Sequence, residues 1–235
     1  MKASKARTAA RTEEFVRILA ELQRVDPARV GLGSALPAGE RERLHEVIDE
    51  MVAVATRRTE GWAAHPIFGH AARWCREHAP DGPPQDMVIV HGDYRLGNLM
   101  VAVDRPDRVI AVLDWEMGAV GDPRADLGYL LATYAEPGGE RSPLGVSPVT
   151  ALEGFPTKAE IVARYAERSG RDVGPLGWFE ALALWKAAVF CEAIYGRFVR
   201  GELGAEDARA AGFEQAVPRM AEAAAERLDI VGRVS

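Results

Sequence analysis

The sequence predicts an α+β fold, mostly helical, with one small β-hairpin near its middle. Three observations carry this reading. Apolar residues recur at helical spacing over the first 80 residues, the period shortens to that of strands from residue 86 to about 113, and helical spacing returns after residue 122.

Taken in order, "TEEFVRILAELQRV" puts Phe15, Ile18, Leu19 and Leu22 on one helical face, with Thr12 as N-cap ahead of two acids. "DPARVGLGSALPAGE" breaks that helix. "ERERLHEVIDEMVAVATRR" then carries Leu44, Val47, Ile48, Met51 and Val52 as an apolar stripe, and a third helix runs from about Pro66 to His78. After the turn-rich "HAPDGPPQD", the runs "MVIV", "LMVAV" and "RVIAVL" read as short strands, the last two joined by a turn at "DRPD". Helices follow in "ADLGYLLATYA", in "TKAEIVARYAERSG" between an N-cap at Thr157 and a C-cap at Gly170, in "GWFEALALWKAAVFCEAIYGRFVRG" and in "EQAVPRMAEAAAERL". The long helix holds Trp178, Trp185, Phe190, Tyr195 and Phe198 as expected core. The loop from Glu136 to Pro156 is long enough to suggest a function. The chain reads as a single domain over 1–235: a helical segment at 1–80, a hairpin with its loops at 86–122, and a helical subdomain at 123–235.

Composition narrows the function classes. At 235 residues, 48% hydrophobic and 27% charged, with a net charge of −6, the chain has the balance of a globular protein with no pull toward polyanions. The basic N-terminus "MKASKARTAARTEE" is short, Ala-rich and closely followed by acids, so no nucleic-acid partner is expected. Cys75 and Cys191 form no CxxC pair and no disulfide framework, which fits a reducing compartment. No leader-like segment and no bilayer-spanning run are read, so a cytoplasmic protein with no membrane partner is expected. The scattered His45, His65, His70 and His78 lack zinc spacing.

The chemistry concentrates in "VIVHGDYRLGNLMVAVDRPDRVIAVLDWEMGAV", residues 88 to 120. Polar groups at strand ends destabilise unless they are paired or used. Counting back from a turn at "DRPD" puts Asn98 within a residue of Asp114 across the open end of the hairpin, and the loop "HGDYRLG" brings Asp93 to the same end. Two carboxylates and an amide oxygen are hard donors that suit Mg²⁺ together with substrate phosphates. Phosphoryl transfer needs such charge neutralisation and a carboxylate to take the acceptor's proton, which would be Asp93. For His91 a satisfied structural histidine competes with direct catalysis, and Asp122 reads equally as a helix cap. Tyr94 and Trp115 read as packing residues.

"HGDYRLGNLM", "AVLDWE" and "GDPRADLGYL" together resemble the aminoglycoside phosphotransferase and choline kinase-like family, which has a protein-kinase-like fold. The chain is especially similar to the small-molecule kinase domains found fused to acyl-CoA dehydrogenases, over nearly its full length. The resemblance implies the C-terminal lobe of that fold and an ATP-dependent phosphotransferase acting on a small-molecule hydroxyl, with ATP and Mg²⁺ as cofactors. It implies a catalytic set of Asp93, His91 and Arg95, with Asp93 as base and His91 supporting the loop. Asn98 and Asp114 would meet the nucleotide and hold the metal, Glu116 would be a further metal ligand, and Asp122 and Asp126 would brace the site. Gln23 stands where the family often has His and reads as structural.

That family also uses a phosphate-binding lysine on an N-terminal β-lobe. Of the 29 basic residues only Lys2, Lys5, Lys158 and Lys186 are lysines, and none sits on an alternating strand. "GLGS" at 31 to 34 follows no strand and is a weak phosphate-loop signal. No stretch reads as the N-terminal lobe. Two function classes therefore stay open: a phosphotransferase, and an inactive remnant or regulatory module of the same fold. A homo-oligomer, or a partner supplying the lobe, is expected to cover the surface that the lobe would occupy.

Overall fold

The computed structural model describes residues 13–33, 40–58, 66–80, 87–105, 107–139, 148–202 and 213–232. Thr12, the basic N-terminus, Lys2, Lys5 and Ser34 lie outside the described residues. The chain divides into two compact units, one holding Met1–Pro37 and Pro84–Leu176, the other Ala38–Pro83 and Gly177–Ser235. Both units are discontinuous, so the helix nearest the N-terminus groups with the hairpin, and the next two group with the C-terminal helices.

In the first unit, helix α1 covers residues 13–22. It buries Phe15, Val16, Leu19 and Ala20, with the polar Gln23 buried just beyond its end. The Asp26 side chain accepts from the Ala28 amide to start a 3₁₀ turn, Pro27–Val30, and Gly31 ends it in the left-handed region at φ 84°. The first glycine of "GLGS" is therefore a turn residue. In the second unit, α2 (Glu40–Arg58) and α3 (Pro66–Glu77) contribute Leu44, Ile48, Met51, Phe68 and Cys75 to a core shared with later helices.

Two small antiparallel pairs are nested. Strand β1 (Val88–Val90) pairs with β4 (Ala119–Gly121), and between them β2 (Leu99–Val101) pairs with β3 (Val109–Val112). The expected hairpin is the inner pair, with Leu99 opposite Val112 and a bulge between Met100 and Val101. The outer pair adds a strand, β4, that the alternation did not suggest. It sets both ends of the loop segment 91–118 side by side.

Helix α4 (Arg124–Thr133) is buried on nearly every side, including its charged Arg124 and Asp126. Helix α5 (Lys158–Ser169) starts at Thr157 with a reciprocal capping box to Glu160 and ends at Gly170, φ 72°. In the second unit α6 (Gly177–Val199) and α7 (Phe213–Gly232) complete the core. The indole N–H groups of Trp178 and Trp185 donate to the Cys75 and Phe68 carbonyls, both at 3.1 Å, so each large side chain is buried with its polar atom satisfied. Phe190 departs from the expected core. It lies on the exposed side of α6 at 37% accessibility, because the helix buries mainly its N-terminal half. Among the described residues no helix is long and apolar enough to cross a membrane.

Candidate active site

The site is built on the loop from β1 to β2. At its start Gly92 has φ 81°, and a Cβ there would lie 2.4 Å from the Met117 carbonyl oxygen, so only glycine lets the loop pass the segment that enters β4. Asp126, wholly buried on α4, receives the backbone N–H of His91 and of Gly92, each at 2.8 Å, one on each carboxylate oxygen. Burial pushes its carboxyl above the usual carboxylate range, and the two amides, favouring the charged form, offset part of that rise.

His91 is also wholly buried, and both ring nitrogens are used. Nε2 donates to the Leu113 carbonyl at 2.8 Å and Nδ1 accepts the Asp93 N–H at 3.2 Å, which is the pattern of a neutral ring. The ring thus ties the loop that carries Asp93 to the segment that carries Asp114. Trp115 packs against it with ring centroids 4.7 Å apart and donates its indole N–H to Val112 at 2.9 Å. Tyr94 is core, its hydroxyl donating to the Phe15 carbonyl of α1 at 2.8 Å.

Asp93 is held from two sides. Asn98 Nδ2 donates to Asp93 Oδ2 at 2.7 Å and to the Asp93 carbonyl at 2.9 Å, and Arg95 Nε lies 3.2 and 3.4 Å from the two carboxylate oxygens. With its amide nitrogen so committed, the buried Asn98 has an amide oxygen without a partner among the described residues. Leu113 N–H donates to the Asn98 carbonyl at 2.8 Å, which seats Asp114 one residue from the cross-strand position of Asn98. Among the described residues Asp114 is the only non-glycine with positive φ, 69°, a conformation that Asp tolerates better than most residues. Its exposed carboxylate, and that of Glu116 in the following 3₁₀ turn, have no partner among the described residues.

Asp122 stands apart from this group. It is buried and accepts the Arg124 backbone N–H at 2.7 Å and the Arg124 guanidinium at 2.6 to 3.1 Å. It acts as a turn brace into α4. A cleft of about 760 Å³ elsewhere in this unit is lined by none of the candidate residues. Its charges pair internally, Arg17 with Glu21 at 2.6 Å and Arg164 and Arg168 with Glu13. Among the described residues no cluster of three or more His, Cys, Asp or Glu is placed to hold a metal. Lys158 and Lys186, the two lysines among the described residues, both lie on helices. The sequence reading missed Gly92, whose signal was its place between the His and the Asp of the loop, and it gave Gln23 no part in the site.

Comparison with known proteins identifies the family and the fold. The model of the phosphotransferase enzyme family matches residues 1–145. Acyl-CoA dehydrogenase family member 11 of Rattus norvegicus is 32% identical over 144 residues, which is 60% of this chain and 18% of that protein. The probable acyl-CoA dehydrogenase IBR3 of Arabidopsis thaliana is 29% identical over 158 residues, 64% of this chain and 19% of that one. The chain thus spans about a fifth of these curated relatives. Among solved structures, a Ralstonia eutropha protein provisionally assigned as an aminoglycoside phosphotransferase superposes with a TM-score of 0.75 at 28% identity, covering 96% of this chain and 66% of that one. Macrolide 2'-phosphotransferase type I, at TM-score 0.57 and 21% identity over 89% of this chain and 59% of that one, shares the fold. The fold is the mostly helical, kinase-like one of these enzymes. With more than half of its length matched by the family model, the chain belongs to the phosphotransferase enzyme family.

Proposed function

We propose that the chain carries the base and metal half of an ATP-dependent phosphotransferase acting on a small-molecule hydroxyl. One observation supports this most strongly. Asn98 spends its amide nitrogen on the Asp93 carboxylate at 2.7 Å and leaves its oxygen without a partner among the described residues, at the end of the hairpin where Asp114 stands. That donor set fits a hard cation, which needs only one or two carboxylates besides water and phosphate oxygens. Asn98 and Asp114 would hold Mg²⁺, and Glu116, exposed two residues beyond Asp114, would be a further ligand. When bound, the metal neutralises charge on the transferring phosphates.

The chain's own residues do the rest. Asp93 takes the proton of the acceptor hydroxyl, and its contact with Asn98 sets which oxygen faces the acceptor. Arg95, part-exposed beside Asp93, supplies positive charge where the phosphoryl group passes. His91 and Asp126 hold the loop, and Asp122 braces the turn into α4. Replacing Asp93 with Ala is expected to lower ATP-dependent phosphoryl transfer by about 10²–10⁴-fold without unfolding the protein. An Asp93→Ala protein with wild-type turnover would defeat the reading.

A second reading is a regulatory or inactive module of the same fold. It is favoured by the contact of Arg95 Nε with both Asp93 oxygens, which engages the base. Wild-type protein that binds ATP but transfers no phosphate to any hydroxyl acceptor would support it. Self-association, or a partner over the exposed Met100, Ile110, Leu113 and Trp115 near the site, belongs to the same proposal, and sedimentation tests it.

A further inference from the structure

Gln23 is a polar side chain placed where an apolar one would pack, 1% exposed at the end of α1. Its amide is met on both sides. The Tyr165 hydroxyl of α5 donates to Oε1, and Nε2 donates to the Pro123 carbonyl at 3.1 Å, on the turn that begins α4. The Gln23 amide also favours the charged form of the Asp126 carboxylate. Arg171 Nη2 reaches the Gln23 carbonyl at 3.3 Å, tying the backbone down as well.

These contacts form one connected path. The α5 hydroxyl orients the Gln23 amide, the amide fixes the Pro123 carbonyl at the turn into α4, and Asp126, in the first turn of that helix, grips the His91 and Gly92 N–H groups just ahead of Asp93. Gln23, Tyr165, Asp126 and His91 are buried and Gly92 is half-buried, so a partner lost at the buried joints is not readily replaced by water and each polar group there depends on the next. A residue needed only to fill space at the end of α1 would make none of these bonds.

We propose that Gln23, oriented by Tyr165, is a positioning residue for Asp93, acting through the Pro123–Asp126 turn and the two amides that Asp126 holds. Its kinetic part rests on the reading of Asp93 as the base. Its structural part does not.

The test uses the full chain and three variants, Gln23→Leu, Gln23→His and Tyr165→Phe, with two readouts. The first is amide hydrogen exchange of fragments covering residues 88–98, with 177–199 as reference. Gln23→Leu is expected to speed exchange in 88–98 by about tenfold or more while leaving 177–199 unchanged. Gln23→His keeps a donor and an acceptor and restores most of the protection. Tyr165→Phe shows a smaller rise in the same fragment. The second readout is ATP turnover, where kcat is expected to fall by about 10–100-fold in Gln23→Leu with KM for ATP nearly unchanged, as for other residues that orient reacting groups.

Exchange in 88–98 that stays at the wild-type rate in both Gln23→Leu and Tyr165→Phe overturns the proposal. So does a rise of equal size in 177–199, which marks a general loss of stability. If Gln23→Leu does not fold, Tyr165→Phe alone decides between the same outcomes. Wild-type protein without any ATP turnover would defeat the proposed function, and the exchange result would then judge the role of Gln23 by itself.

Discussion

Gly92 shows how narrowly the loop that carries Asp93 is specified. Its φ of 81° excludes most side chains, and the Met117 carbonyl 2.4 Å from a would-be Cβ is backbone that cannot step aside alone. Gly92→Ala should destabilise the protein by about 2–4 kcal/mol in urea unfolding, combining a strained φ with overpacking. Gly97, by contrast, faces only the mobile end of the Arg95 side chain, so a methyl there would displace a guanidinium and leave the backbone in place. Asp93, Asn98 and Asp114 were legible in the sequence because their types and spacing state a chemistry. Gly92 and Gln23 state none, since one is defined by a carbonyl brought back by β4 and the other by partners 100 and 142 residues away.

At the scale of the element, caps and turns were the most legible features. Thr157 and Gly170 bound α5 where the sequence placed them, because capping is decided by groups within one turn of the helix. Thr157→Ala should cost about 1 kcal/mol of stability, read as a lower unfolding midpoint in urea. The pH dependence follows from Glu160, whose carboxyl the Thr157 backbone N–H and hydroxyl hold below its usual range. A depressed folded-state pKa means that the capping contribution is present above about 4.5, the unfolded value, and is lost as pH falls through the folded one. The gap between wild type and Glu160→Gln should therefore narrow on acidification. The β2–β3 pairing was countable from the turn to within a residue, the bulge between Met100 and Val101 lying outside the count, whereas β4 was not legible. A three-residue "AVG" has no periodicity of its own and becomes a strand only because β1 offers it hydrogen bonds.

For the whole molecule, the chain passes from one unit to the other between α1 and α2, between α3 and β1, and between α5 and α6. The proposed ligand can be tested on the folded chain as a unit. A ligand that binds only the folded state raises stability, by about 2.7 kcal/mol at a hundredfold excess over its Kd. ATP with Mg²⁺ should raise the melting temperature of wild type, and Asp114→Ala should remove most of that rise. An equal rise in the variant would detach Asp114 from nucleotide binding.

The sequence by itself determined the mostly helical class, the hairpin with its pairing to within a residue, the caps of α5, and the placing of the candidate residues Asp93, Asn98 and Asp114 at one end of the hairpin. All of these are local, set by periodicity, turn chemistry or a short span of chain. Only the tertiary structure decided the outer strand pair, the division into two units, the ties of His91 and Asp126 to the loop, and the buried place of Gln23. Each of these depends on contacts between distant segments, where a polar side chain's role is set by which partner burial leaves within its reach.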